Sequence, residues 1–197
     1  TNSDASTPPS ASLATRIFFV CFHLPVVVVQ NPQSKQWRAS WSESILAKTE
    51  GSQILSTYQA YWVGTVTSHP PLQTQEDKDA VRAILEEMNC IPIFLEDRFR
   101  QAHYYGFCKQ VLWPAFHNID MLDLSTCGWL PDQHGASDWD QSRLDDWWNA
   151  YAAVNQEFCR VMGSLIKPAD ILWVHDYHLS LVPQQMAQVE VQKFGRR

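Results

Sequence analysis

The chain has 197 residues, 45% of them hydrophobic and 12% aromatic, which is enough apolar surface to close the core of one domain. Its formal net charge of -6, with the Lys and Arg residues scattered, lacks the basic excess that a nucleic-acid backbone or an anionic membrane demands, so neither is expected as a partner. No apolar run reaches the roughly 18 residues of a membrane helix, and the best candidate, 17–29, is interrupted by His23 and Pro25.

Residues 1–15 are mostly Ser, Thr, Pro and Ala, cannot bury enough surface to offset the entropy of ordering, and are predicted to be a disordered lead-in to a single domain over 16–197. From Arg16 onward, consecutive Ile, Phe and Val predict a strand covered on both faces and ended by Pro25, which cannot donate to a ladder. The alternation in 37–41 predicts a strand, with a short helix near 43–47 and a further strand over 58–66. Early acids followed by Ala80, Val81, Ile84, Leu85 and Met88 predict an amphipathic helix over 75–89, then a strand over 91–95. A helix is expected over 97–107, followed by the aromatic block 113–117 and a long loop over 120–138. Leu144, Trp147, Trp148, Tyr151, Val154, Phe158, Val161, Met162 and Leu165 recur at helical spacing, so one long helix should end near Pro168, with Trp147 and Trp148 in the core. A strand over 170–174 and a helix over 179–194 complete the series. The alternation predicts a doubly wound α/β fold, Rossmann-like, with a mostly parallel sheet and helices on both faces.

Five cysteines, Cys21, Cys90, Cys108, Cys127 and Cys159, form an odd set without Cys-x-x-Cys spacing and are expected to be buried thiols in a reducing cytosol. A start at Thr1 without Met and an abrupt stop at Arg197 are expected of a piece of something longer.

In an open parallel sheet, ligands bind outside the carboxyl ends of the strands, so polar residues that follow apolar runs come first. Two places qualify: His23, and the run His175-Asp176-Tyr177-His178. The run could ligate a divalent cation, but two His three apart in an extended segment point to opposite faces, so no metal is expected. Two readings stay open: structural packing, or a carboxylate that accepts hydrogen bonds from a polyol while the flanking His residues are satisfied by backbone carbonyls. Tyr104 and the block Trp113-Pro114-Ala115-Phe116-His117 suit the CH face of a pyranose and suit a core equally well. With seven glycines and neither a Gly-x-Gly-x-x-Gly nor a Walker A pattern, phosphate cradles of those types are absent, and no cofactor is expected.

Several blocks together resemble the trehalose-6-phosphate synthase family, retaining glycosyltransferases built of two Rossmann-like domains. They are Leu24-Pro25-Val26, Trp62-Val63-Gly64, Tyr104 with Gly106-Phe107-Cys108-Lys109-Gln110, Leu112 through His117, Tyr151-Ala152-Ala153-Val154-Asn155, and Trp173 through Leu179. The resemblance implies the N-terminal half of such an enzyme, in which glucose from UDP-glucose is joined to glucose 6-phosphate in the cytoplasm without a metal. It implies that Tyr104, Trp113 and Asp176 bind the acceptor, glucose 6-phosphate, with Thr65, His175 and His178 in support. UDP-glucose would be held by a C-terminal domain, and the family's catalytic His would lie beyond residue 197, so this piece alone is expected to be inactive.

Three departures stand beside the likeness. Where the family has Ser-Asn-Arg-Leu-Pro, its Arg on the phosphate, this chain has Cys21-Phe22-His23-Leu24-Pro25. A His with an ordinary pKa of about 6.5 is mostly neutral at pH 7, and losing one charged hydrogen bond weakens phosphate binding by roughly tenfold to a hundredfold. The family's Gly-Gly is missing between Val26 and Trp41, and Thr65 replaces a substrate-binding Trp. These changes resemble the divergent eukaryotic members, which implies a second reading: a sugar-phosphate-sensing or scaffold subunit that partners other synthase subunits.

Overall fold

The computed structural model describes residues 15–43, 57–119 and 141–195. The lead-in up to residue 14, the short helix near 43–47 beyond its first residue, the loop over 120–138 and Cys127 lie outside the described residues.

Strand β1 (Arg16–His23) is buried along all but its two ends because it is central. It pairs in parallel with β4 (Gln59–Thr65) on one side and β7 (Ile171–Val174) on the other, and β6 (Cys90–Ile93) extends the sheet beyond β4, giving the order β6-β4-β1-β7. All pairs are parallel, as the near-continuous apolar strands predict. A second sheet is formed by β2 (Val26–Gln30), β3 (Trp37–Trp41) and the short β5 (Ser68–His69), in the order β3-β2-β5. Pro25 does end the central strand, and Val26–Gln30 beyond it forms a hairpin with β3.

Alternate residues of β1 serve two cores. Phe18, Val20 and Phe22 pack with Val154, Phe158 and Met162 of α3 (Gln141–Leu165) and with Val182 and Met186 of α4 (Val182–Phe194). Ile17, Phe19 and Cys21 face Val81 and Leu85 of α1 (Gln75–Glu87) together with Val28 and Trp37 of the second sheet. Helices therefore do lie on both faces, but on one face α1 shares the cover with β-structure. Thr74 caps α1 through a reciprocal pair of bonds with Asp77, and Asp77 also accepts from the Trp37 indole at 2.9 Å, which ties α1 to β3.

Helix α2 is one helical run over 97–117: an α-turn Asp97–Arg100, a π-helical stretch Gln101–Leu112, and an α-turn Trp113–His117 that ends at Asn118 in the left-handed region. It is longer than expected, and the aromatic block is its last turn. Pro114 lies inside that run, at the return from π to α winding, where it withdraws one N–H from the helical ladder. The last helix, by contrast, starts at Val182, later than 179, because a 3₁₀ turn Tyr177–Leu179 intervenes. Trp148 is 45% exposed, against the expectation of a core residue, because its ring rests on the outer side of Phe107 and Tyr151.

Two contacts fix the ends of β1. At its start, the Arg16 guanidinium bonds both carboxylate oxygens of Asp170, with Nε to Oδ1 at 2.9 Å, and donates to the Leu165 carbonyl. At its exit, the register slips by one residue between Val20 and His23 opposite β4, and Leu24 N donates to the Thr65 carbonyl at 2.9 Å. Gly64 permits that approach, since a Cβ there would lie 2.5 Å from the Cys21 carbonyl oxygen and 2.9 Å from Leu24 N. Both neighbours are backbone and cannot step aside, so Gly64→Ala is expected to cost about 1 to 3 kcal/mol, read as a lower urea midpoint. An unchanged midpoint would show that the β1 exit is looser than this packing implies.

Candidate functional site

The chain leaves β1 toward β4 and β6 on one side and returns to β7 on the other, so the direction of winding reverses between β1 and β7. Ligand crevices of open α/β sheets form at such a point. A cleft of about 350 Å³ lies there, walled by Cys21, Phe22, His23, His175, Asp176 and His178.

His175 continues the ladder, its N–H donating to the Val20 carbonyl at 2.8 Å. Asp176 then takes φ 71 and ψ 161, a region essentially reserved for glycine. Its carboxylate explains how the turn is held: one oxygen accepts from Tyr177 N at 2.7 Å and the other faces His178 Nδ1 at 3.2 Å. The side chain remains 53% exposed, with acceptor capacity left toward the cleft. A strained residue that is held from several sides and keeps a polar group in solvent is a pattern of functional sites.

Helix α3 locks the same turn from beneath. The Tyr151 hydroxyl donates to the Tyr177 carbonyl at 2.7 Å and accepts from Ser180 N at 3.1 Å, while Asn155 donates to the His178 carbonyl and accepts from Leu181 N, each at 3.2 Å. Buried His103 places its Nε2 at 3.0 Å from the His178 carbonyl and therefore donates from that nitrogen. Among the histidines around the turn, the one satisfied by a backbone carbonyl is His103. His175 and His178 are not: the Nε2 of each is buried without a partner among the described residues, and His178 uses Nδ1 on Asp176.

A layer of rings backs the cleft. Phe22 stacks on His103, Tyr104 and His178, with His23 edge-on, and Tyr104 stacks on His178 at 5.3 Å with the ring planes nearly parallel. Tyr104 and Asp176 are therefore brought to one place. Trp113 stands further out, stacked on its own helix neighbour His117 at 3.6 Å and tilted against Tyr177 at 6.1 Å. Thr65 does not line this cleft. It bonds the Phe22 carbonyl and His23 Nδ1, and it opens instead on a neighbouring cleft with Leu95 and Arg100 at the ends of β4 and β6.

Protein packed around the His23 ring, with the neighbouring His178 ring and the cationic Arg100 and Lys109, pushes its pKa down to about 4, although the side chain still reaches solvent. Burial likewise lowers His103 to about 4 and moves His175 and His178 down, the latter against the pull of Asp176. Near neutral pH the cleft therefore holds neutral imidazoles and one carboxylate. The thiols of Cys21, Cys90 and Cys108 are pushed up to about 12 by burial and are inert. Among the described residues no three His, Cys, Asp or Glu side chains converge as a metal site, and no helix is long and apolar enough to cross a membrane.

An open parallel sheet with a carboxylate and aromatic faces at its switch point defines a doubly wound α/β protein with a crevice suited to a hydroxyl-rich ligand. Sequence comparison makes the family explicit: the chain belongs to glycosyltransferase family 20, whose model matches residues 15–193. It is 32% identical over 189 residues to the 56 kDa subunit of UDP-forming alpha,alpha-trehalose-phosphate synthase of Saccharomyces cerevisiae, covering 94% of this chain and 33% of that protein. Similarity to UDP-forming alpha,alpha-trehalose-phosphate synthase 6 of Arabidopsis thaliana is 36% over 152 residues, or 76% of this chain and 16% of that one. The chain thus spans a third or less of these relatives. Among solved structures, the synthase of Burkholderia vietnamiensis matches with TM-score 0.54 at 20% identity, over 90% of this chain and 31% of that one. The N-terminal domain of a Candida albicans trehalose-6-phosphate phosphatase matches with TM-score 0.54 at 22% identity, over 96% and 33%. These two likenesses concern the fold alone.

Two outcomes are expected. Asp176→Gly and Asp176→Ala lose the same carboxylate bonds, but glycine accepts the backbone geometry, so Asp176→Gly should be the more stable by about 1 kcal/mol or more in chemical denaturation. Equal stabilities would mean the backbone carries no strain. Because the four histidines are held below their ordinary pKa, the unfolded chain takes up protons that the fold does not as pH drops below about 6.5. Stability should be complete above that pH and decline toward about pH 4, seen as a urea midpoint lower at pH 5 than at pH 7.5; a flat midpoint would contradict it.

Proposed function

We propose that this chain is the acceptor-side half of a UDP-forming trehalose-6-phosphate synthase, binding glucose 6-phosphate while a C-terminal domain holds UDP-glucose. The observation that carries the reading is Asp176, a carboxylate kept half exposed at the β1/β7 switch point on a backbone only glycine adopts freely. In this role Asp176 accepts hydrogen bonds from acceptor hydroxyls and so orients the attacking oxygen, contributing to rate as well as affinity. Tyr104 offers a ring whose hydroxyl stays protonated, its pKa raised by burial and by neighbouring acidic groups, and Trp113 would meet the far side of the sugar. Neutral His23, His175 and His178 line the wall without adding charge. Transfer from UDP-glucose would proceed with UDP as leaving group and retention at the anomeric carbon, and would need groups from the C-terminal domain. The setting would be cytoplasmic, alongside other synthase subunits, as the word subunit in the yeast relative's name suggests.

One observation favours a second reading, a sugar-phosphate-sensing or scaffold subunit of reduced activity. His23, standing where the family has Arg, is uncharged at neutral pH. That the fold also occurs as the N-terminal domain of a phosphatase is compatible with such a role. Calorimetric titration of the intact protein with glucose 6-phosphate, together with UDP release from UDP-glucose, separates the two. Binding that Asp176→Ala and Tyr104→Ala each weaken at least tenfold, with UDP release dependent on glucose 6-phosphate, is expected. Binding without UDP release would select the sensing reading, and no binding would remove the synthase and the sensing readings and leave the scaffold.

A further inference from the structure

The cleft wall carries no cation near neutral pH: His23 is neutral, and Arg100, on the neighbouring cleft, is engaged with Asp97 at 2.6 Å. Lys109 is the cation left beside it, half-buried, with no carboxylate in ion-pair reach among the described residues. Its Nζ lies 5.2 Å from the Tyr104 ring and 4.9 Å from the Trp113 ring. It is close enough to the wall to bear on His23 and His178.

The winding of α2 makes this placement. In an α-helix a step of five residues turns a side chain by about 140° away from its starting direction, so Tyr104 and Lys109 would diverge. The π-helical stretch Gln101–Leu112 bonds five residues apart and brings them onto one face, as it brings His103 beside Cys108 and Gln110 onto the Tyr105 carbonyl. Across the last turn of that stretch Lys109 also meets Trp113, at 4.9 Å from its ring. Wide π turns are uncommon and concentrate at functional sites.

We infer that Lys109 recognises the phosphate of the acceptor sugar, so that a lysine on the π-helical face selects the phosphorylated over the free sugar in place of a cation at position 23. The inference rests on the acceptor-site reading above. The four-carbon stem lets the ammonium leave the two rings and meet an anion at the rim of the cleft. Giving up the rings costs about a two- to fivefold factor, whereas a charge-assisted bond to phosphate returns about tenfold to a hundredfold, so the anion wins.

The test is titration of the intact protein with glucose 6-phosphate and with glucose, comparing wild type with Lys109→Met, Lys109→Gln and Lys109→Arg. Methionine keeps an unbranched stem against the rings, and thermal unfolding midpoints verify that each variant is folded. Lys109→Met and Lys109→Gln should lose about tenfold to a hundredfold for glucose 6-phosphate and stay within about threefold for glucose. Lys109→Arg should keep the preference. The preference should also shrink between low and high salt in wild type, because an ion contact at a rim is screened. If Lys109→Met binds glucose 6-phosphate like wild type, or loses both sugars equally, this inference falls while the acceptor-site reading stands. A wild-type protein that binds neither sugar overturns both.

Discussion

Strand β1 is hydrogen-bonded on both edges and covered on both faces, and the rest of the architecture follows from that constraint. A strand so enclosed can carry polar side chains only at its ends. Its start is closed by the Arg16–Asp170 pair, whose acid is almost fully buried, which leaves the carboxyl end as the place where chemistry can collect. The one-residue slip before His23, and the glycine at 64 that lets β4 lie against it, turn the chain out of the sheet there. The cleft is a product of winding order as much as of side chains, because β4 and β7 lie on opposite sides of β1.

The cleft is electrostatically spare. Imidazoles crowded among aromatic rings lose their charged form to desolvation, so Asp176 meets a mostly neutral wall. A lone carboxylate in such surroundings favours neutral donors, which a sugar has in quantity, and disfavours anions close by. On the proposed acceptor reading, an anionic group of the same ligand would sit away from Asp176, where Lys109 lies over Tyr104 and Trp113.

The turn that carries Asp176 is held by residues from three directions: its own carboxylate, Tyr151 and Asn155 of α3, and His103 of α2. Tyr151 and Asn155 are part of the motif that pointed to the family, yet their periodicity reads only as a helix. Their polar atoms matter because a buried turn must find partners for its carbonyls, and nothing in sequence spacing says which helix supplies them.

Much was legible in the residues. Runs of apolar side chains located β1, β4 and β7, although β1 is enclosed along its length while β7 leaves Ile171 and Trp173 exposed, and three-to-four spacing located α1 and α3. The positions of His23 and Asp176 at strand ends also followed from pattern. Local pattern failed where geometry over distance decides. Trp148 shares the helical periodicity of the core but lies at the edge of what α3 covers. The hairpin of β2 and β3 reads locally as leftover strand. The π winding of α2, which leaves the amino-acid pattern unmarked, sets Lys109 rather than a neighbour above Tyr104. Alternation and periodicity report which faces are buried, so the sequence determined the class of fold and the strand ends where a site could form. The partners of each polar atom, the charge state of the histidines and the strain at Asp176 depend on groups brought together from distant parts of the chain, and only the tertiary structure decided them.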